Sequence, residues 1–331
     1  MSRTMLAGYY EKFGEARDVL QVGEVPLPEP GPGEVRVKLK TSGVNPSDFK
    51  VRRGATRGGT FPLTIPHHDG AGVIDAVGHA SLEHRLGERV WTWSAQYKRP
   101  FGTAAQYVAL PSAQAVHLPD NVTFEEGACL GIPALTAWRA AYYDGSPRDQ
   151  AVLVQGGAGA VSHYAIQLLK RAGATVLTTA SSAEKLELAK AAGADAGINY
   201  REENVAERAM ELTGGQGVDR VIEVNLAENA KGYVHYVRPD GVVVIYGSDD
   251  WSVVPPLTDY LAHGLQLKFF IMYNLPPDVR RQAIADLTAL MREGRLEHRV
   301  GATFPLNDIV AAHEAVEQRA VNGNVVLTIP D

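Results

Sequence analysis

Val152-Leu153-Val154-Gln155-Gly156-Gly157-Ala158-Gly159-Ala160-Val161-Ser162 decides the fold of this chain. A short apolar run enters a cluster of glycines. Val161, Tyr164, Ala165, Leu168 and Leu169 then recur at the spacing of one helical face. A strand that turns on glycines into a helix brings free backbone N–H groups and the positive helix end to one point, which suits a pyrophosphate. Gly157 and Gly159 permit the tight turn and the close approach of backbone to phosphate, so Gly157, Ala158, Gly159, Ala160 and Val161 are the expected grip. The third glycine of a G-x-G-x-x-G pattern is Ser162 here, an imperfect fingerprint that gains weight from its strand–helix–strand setting.

Working outward toward the C-terminus, Gly173 ends the helix and residues 174–179 read as the next strand. A helix over 183–192 stops at Gly193. Residues 218–224 and 241–247 supply two further buried strands, residues 265–271 a sixth, and 278–293 a helix carrying Val279, Ile284, Leu287 and Leu290. Strands alternating with helices imply a doubly wound parallel sheet covered on both faces, the Rossmann arrangement of an α/β protein. Toward the N-terminus the grammar differs. Residues 35–39 alternate apolar and charged side chains after the turn-formers Pro26, Pro28, Pro30, Gly31, Pro32 and Gly33, and residues 71–77 and 88–93 are further short strands. The tail reads as strand, helix (308–318) and strand (324–329) and is expected to rejoin this β-rich part. The expected organisation is therefore a β-rich domain over 1–126, a Rossmann domain over 127–270 and a return over 271–331, the two sharing a cleft.

A net charge of −6 argues against nucleic acid or an anionic membrane as the main partner. No apolar stretch reaches the ~18 residues of a membrane span, and residues 1–10 lack the pattern of a secretion signal. Cys129 is the only cysteine, which excludes an intrachain disulfide and fits a cytoplasmic home. It reads as a small core residue.

Cofactor choice depends on the end of the second Rossmann strand, where NAD sites place an acid for the ribose hydroxyls. Leu177-Thr178-Thr179-Ala180-Ser181-Ser182 has no carboxylate before Glu184. Ser181 and Ser182 can donate to a 2′-phosphate and Lys185 can add charge, which predicts NADPH.

Several stretches then identify a resemblance. Gly43-Val44-Asn45-Pro46-Ser47-Asp48, Asp69-Gly70-Ala71-Gly72-Val73-Ile74, Gly87-Glu88-Arg89-Val90, Gly131-Ile132-Pro133-Ala134-Leu135-Thr136-Ala137-Trp138, the glycine loop and Gly241-Val242-Val243-Val244-Ile245-Tyr246-Gly247 occur in order over almost the full length. In these the chain resembles the quinone oxidoreductase (ζ-crystallin-like) branch of the medium-chain dehydrogenase/reductase superfamily. The resemblance implies a GroES-like catalytic domain from both chain ends and reduction of a quinone or other activated alkene. It also implies that Tyr200 joins Lys185 near the 2′-phosphate, and that Thr136, Gly247, Ser248, Phe270, Met272 and Asn324 belong to the cofactor site. Relatives pair through strands of the nucleotide domain, so a homodimer or homotetramer is expected.

Zinc enzymes of that superfamily need soft ligands. The resemblance puts Asn45, His68 and Ile132 at those places, and the four-cysteine lobe is missing, so no metal is expected. Of His67 and His68, one is expected to be packed and one solvated; the sharper reading has His68, held by Asp69, donating a proton to substrate. Asn45 is the best candidate for holding a substrate or nicotinamide-ribose oxygen, with Asp48 and Lys50 behind it. Lys50 stands where related enzymes often carry a tyrosine, so a tyrosine proton donor is not expected. Arg52 and Arg53 read either as a solvated charged edge or as cleft residues, and His117, His263 and His313 as structural or surface residues. Loops around 55–61 and 93–101 are expected to shape substrate choice. Two other readings stay open: a C=C reductase of enones, enals or acrylate-type substrates, and an NADPH-binding structural or regulatory protein with little turnover.

Overall fold

The computed structural model describes residues 3–55 and 61–331; of the loop expected at 55–61, residues 56–60 lie outside the described residues. The chain forms two compact units, one made of the described residues up to Pro133 together with Asp286–Asp331, the other Ala134–Ala285.

The first unit opens with β1 (Thr4–Tyr9), α1 (Ala16–Val19) and β2 (Gln21–Pro26), the two strands pairing antiparallel. There follow β3 (Glu34–Val44), α2 (Pro46–Arg52), β4 (Asp69–Val77), β5 (Arg89–Thr92), β6 (Tyr107–Pro111), β7 (Ala115–His117) and α3 (Phe124–Gly127). β3 is the spine. Val35, Val37 and Leu39 are buried on its alternate positions, as the period of two requires. Its first half pairs with β6 and its last residues with a strand from the C-terminus, while β4 lies along its other side. Register shifts at Arg36/Val37 and Leu39/Thr41 mark bulges that bend the sheet.

The second unit runs α4 (Leu135–Ala141), β8 (Ala151–Val154), α5 (Ala160–Arg171), β9 (Thr175–Ala180), α6 (Ala183–Ala191), β10 (Ala196–Asn199), α7 (Val205–Leu212), β11 (Val218–Glu223), α8 (Leu226–Asn229), β12 (Val237–Ile245), α9 (Leu257–His263) and β13 (Gln266–Phe269). All strand pairs are parallel, in the order β10-β9-β8-β11-β12-β13. Counted within the unit this is 3-2-1-4-5-6, the Rossmann order, and the direction of winding reverses between β8 and β11. Val152, Leu153 and Val154 are fully buried, which explains why this strand reads as a continuous apolar run rather than an alternation. β12 begins four residues earlier than the sequence suggests. Arg238-Pro239-Asp240 looks like a loop, and the pairing with β11 does shift register there.

α10 (Pro277–Arg292) carries the chain across the unit boundary, and β14 (Val300–Pro305), α11 (Ile309–Glu317) and β15 (Asn324–Thr328) complete the first sheet. The boundaries differ from the expected 126/127 and 270/271. Residues 127–133 pack on the first sheet: a Cβ on Gly127 would lie 2.8 Å from the Ala71 Cβ, and Ile132 N–H donates to Asp69. Residues 271–285 stay with the second unit, where Arg280 donates to the carbonyls of Met272 and Tyr273. Among the described residues no helix is long and apolar enough to cross a membrane.

Candidate functional site

In the second unit the site is made of backbone. Gly156 sits at φ +67°, in the left-handed region that glycine tolerates. A Cβ on Gly157 would lie 2.2 Å from Thr178 Oγ1 and 2.8 Å from the Ala189 Cβ, so only glycine lets the turn close against β9 and α6. A Cβ on Gly159 would make one tight contact, 3.2 Å to Gly156 O, and otherwise meet only Ser162 Oγ at 3.8 Å. Gly156 N–H donates to Thr179 Oγ1 (3.1 Å), Gly157 N–H to Thr179 O (2.9 Å), and Thr179 Oγ1 to Gln155 Oε1 (2.6 Å), which ties down the base of the turn. α5 begins at Ala160 with no acid in its first turn. Its first N–H groups have no acceptor within the helix, so those of Ala160 and Val161 form a positive cradle that a bound diphosphate fits, with Ala158 just ahead of them, while the Gly159 N–H is given to Gly156 O at 2.9 Å. Ser162 replaces the third glycine without cost: it is buried, and its hydroxyl donates to Gln155 O at 2.9 Å.

At the end of β9, Ser181 and Lys185 are both half-buried and the nearest acid in sequence, Glu184, is exposed. Ser182 is the N-cap of α6, its hydroxyl accepting from Lys185 N–H at 3.4 Å, so only its own proton is left for a phosphate. Tyr200 is 52% exposed, and its N–H donates to Ala180 O, which brings the end of β10 beside Ser181. Where β12 ends, a Cβ on Gly247 would lie 2.3 Å from Val224 O, a close approach that glycine alone allows. Ser248 accepts from Ala227 N–H and donates to Asp250 O. Phe270 N–H donates to Ile245 O, and α4, with buried Thr136, packs against the turn Met272–Asn274. All these residues lie in the second unit. Asn324 does not: it starts β15 in the first, and its amide donates to Arg299 O at 3.0 Å.

In the first unit the site is made of buried side chains. Asn45 and Asp48 are the two ends of a capping box on α2, whose well-formed arm is Asn45 N–H to Asp48 Oδ2 at 2.7 Å, with Pro46 at the first helical position. Asn45 Nδ2 (2.8 Å) and Ile132 N–H (2.9 Å) both donate to Asp69 Oδ2. Burial pushes the Asp69 carboxyl up to about 7 against those two donors. Burial likewise raises Asp48 well above the carboxylate range, opposed by the Asn45 N–H and helped by the Asp69 charge. Asp48 Oδ1 lies 3.9 Å from His68 Nε2. Burial lowers His68 to about 3, with the Arg99 charge adding to the effect, so the imidazole is neutral at pH 7.

This corrects several expectations. His67 and His68 are both buried, not one packed and one solvated, because the segment is not an extended strand: His67 has φ +79°. Asp69 holds Asn45 and the Ile132 N–H rather than His68, and the carboxylate that faces His68 is Asp48. Arg52 is no solvated edge. It is fully buried and donates to Gly14 O and Glu317 Oε1, while Arg53 pairs with Glu15 and Glu317 near the surface. Ser42 and Thr103 join this buried cluster without having been singled out, and His313, read as structural or surface, joins it as a fully buried residue. The first two carry no sequence signal; His313 does, since it shares a helical face with the buried Ile309 four residues earlier.

The donor set does not fit zinc. The amide of Asn45 is spent on Asp69, Ile132 offers only a backbone N–H, and no group of three or more His, Cys, Asp or Glu among the described residues could hold a metal ion.

Residues 31–120 match the alcohol dehydrogenase GroES-like domain and residues 160–289 the family described as zinc-binding dehydrogenase. A quinone oxidoreductase of Pseudomonas aeruginosa is 30% identical over 94% of this chain and 95% of its own length. Among solved structures, an NAD-dependent alcohol dehydrogenase superposes with TM-score 0.90 at 31% identity, covering 98% of this chain and 100% of the other. A mycobacterial protein solved in complex with NADPH gives TM-score 0.87 at 29% identity, covering 98% and 99%.

Proposed function

Because the chain belongs to the quinone oxidoreductase branch of the medium-chain dehydrogenase/reductase superfamily, and is therefore an oxidoreductase that uses a nicotinamide cofactor and a small-molecule substrate, we propose that it reduces quinones or related activated alkenes with NADPH and without a metal. The observation that supports the cofactor half is the end of β9, where Ser181 and Ser182 follow with no carboxylate before Glu184 and the Tyr200 N–H donates to Ala180 O. NADPH, when bound, supplies a hydride from its nicotinamide ring. The chain offers the diphosphate the amides of Ala158, Ala160 and Val161, and the 2′-phosphate two hydroxyls and an ammonium.

Asn45, Asp48 and His68 supply the polar groups on the acceptor side. His68 is neutral at pH 7, so it acts as a hydrogen-bond partner and not as an imidazolium acid. Burial raises the Asp48 carboxyl well above its ordinary range, which suits it to hold and give a proton on this side. Groups of this kind suit an acceptor that is already electron-poor.

Oxidation of NADPH followed at 340 nm against a panel of quinones, enones and enals tests the reading, with product analysis separating hydroquinone from saturated carbonyl. Turnover with a quinone and a lower Kd for NADPH than for NADH are expected. Equal affinity for both cofactors overturns the choice of NADPH, and saturable cofactor binding with no acceptor reduced overturns the reaction. A homodimer is part of the same proposal: Trp251, Val254, Leu257, Leu261, Phe269 and Ile271 are all at least half exposed along α9 and the sheet-edge strand β13. The buried free thiol of Cys129 suits the reducing cytoplasm.

A further inference from the structure

His67 combines two features that rarely coincide: complete burial and a backbone φ of +79° in a residue that is not glycine. Its ring is held at both ends. Nδ1 lies 2.9 Å from Ser42 Oγ, and Nε2 lies 3.0 Å from His313 Nε2, with the two imidazoles stacked at 5.1 Å between centroids. Ser42 Oγ is 2.8 Å from Thr103 Oγ1, which donates to Asp69 O at 2.6 Å.

The direction of every proton in this series follows from its last member. A carbonyl oxygen only accepts, so the single hydroxyl proton of Thr103 goes to Asp69 O. Thr103 must then accept from Ser42, and Ser42, its proton spent, must accept from His67 Nδ1–H. His67 Nε2 is left as a lone pair, which His313 meets with Nε2–H. His313 Nδ1 is then bare, and it has no hydrogen-bond partner among the described residues. Both rings are neutral in this arrangement, as burial requires of them.

We infer that His67 and His313 are positioning residues: a proton-ordered chain from α11 through Ser42 and Thr103 fixes the backbone from which Asp69 reaches Asn45. The strained turn at His67 aims the imidazole along this chain rather than toward His68 and Asp48. Asp69 Oδ2 then receives the Asn45 amide and the Ile132 N–H at 2.8 and 2.9 Å, and Asn45 is held in one orientation. The inference rests on the functional reading only in naming Asn45 as a substrate-side group.

Three variants test it. His67→Gly relieves the backbone but removes the ring, His313→Leu removes the donor, and His313→Gln restores an N–H near the same place. Roughly a 10- to 100-fold fall in kcat is expected for the first two, with Kd for NADPH unchanged and much of kcat regained by His313→Gln. In the 15N-histidine spectrum of the unaltered protein His67 must show the Nδ1–H tautomer and His313 the Nε2–H tautomer. The Asn45 side-chain amide signal must move in His313→Leu and return in His313→Gln. The opposite tautomers, an Asn45 signal that does not move, or variants that lose thermal stability while keeping kcat would each overturn the inference. If the unaltered protein reduces no acceptor, the functional reading falls alone and the spectra still decide this one.

Discussion

The cradle after β8 and the polar cluster around Asp69 solve opposite problems. The cradle is the eight residues from Gln155 to Ser162, in which the decisive feature is the absence of side chains: Gly157 has no room for one, and the amides beyond it are those proposed to bind. The cluster gathers Ser42, Asn45, Asp48, His67, His68, Asp69, Thr103 and His313, with the Ile132 N–H, from five separate stretches and works mainly through side chains that have left water. A cradle of amides is fixed by local geometry and binds a charge that every dinucleotide carries. A cluster of buried polar groups is fixed by long-range contacts, and one wrong member leaves its neighbours unsatisfied at a cost of about 1–3 kcal/mol each. The first can therefore stay the same while the second changes with the acceptor.

The largest effect should come from the cradle. Gly157→Ala forces a methyl to within 2.2 Å of Thr178 Oγ1, an overpacking that typically costs about 1–3 kcal/mol, and it displaces the amides that hold the diphosphate. A rise of roughly 100-fold in Kd for NADPH with a lowered Tm is expected by calorimetry. Gly159→Ala has an ordinary φ of −75° and a single tight contact, Gly156 O at 3.2 Å, so it should cost much less Tm than Gly157→Ala and lose affinity only if a phosphate must lie against that backbone. Equal behaviour of the two variants would break the account of the loop.

Asp69→Ala probes the other region. It strands Asn45 Nδ2 and Ile132 N–H without their acceptor, and a loss of about 1–3 kcal/mol in urea unfolding is expected together with a drop in kcat. Kd for NADPH should hold. Were cofactor affinity to fall as far as in Gly157→Ala, the division of labour between the two regions would be wrong.

The same contrast governs what could be read from the sequence. The parallel sheet, the glycine turn and the missing acid after β9 were legible because each is a statement about adjacent residues: an apolar run, a φ that needs glycine, a strand end without a carboxylate. The return of the tail to the first sheet was legible too, and β15 does pair with β3. The cluster was not. Nothing near His67 announces that a left-handed turn will carry its ring to a helix 246 residues later, or that Thr103 will take the Asp69 carbonyl. Arg52 misled for a similar reason, because its partner Glu317 lies 265 residues away and a buried arginine without a visible acid looks solvated. Asn45 and Asp48 fall between the two cases, since a capping box is local although the Asp69 contact is not.

A smaller effect tests the cofactor choice. Lys185→Glu puts a carboxylate in the first turn of α6, where the 2′-phosphate is proposed to bind, and should weaken NADPH by about tenfold, roughly 1.4 kcal/mol, while NADH binding stays as it was. An equal loss for both cofactors would mean that Lys185 acts on the loop as a whole and not on the extra phosphate.

The last effect is a slope. His68 and His313 are held down to about 3 by burial, with Arg99 and Arg52 respectively adding to the effect, and His67 is held well below its ordinary value. In the unfolded chain the same rings take a proton near pH 6.5, so between about 6.5 and 3 unfolding binds protons and stability falls as the pH falls. Asp69, raised to about 7, works the other way over about 4 to 7, because there the folded state holds the proton that the unfolded state has lost. His313→Gln keeps an N–H for His67 but removes one titrating ring. Unfolding free energies measured in urea across pH 4 to 6 should therefore fall less steeply with acid, by on the order of 1.4 kcal/mol per pH unit, with no change of slope above pH 7. The cradle of the second unit carries no such ring between Gln155 and Ser162, so Gly159→Ala should leave the slope untouched. A slope that moved in both variants, or in neither, would mean that the acid sensitivity of the fold does not come from the imidazoles packed around Asp69.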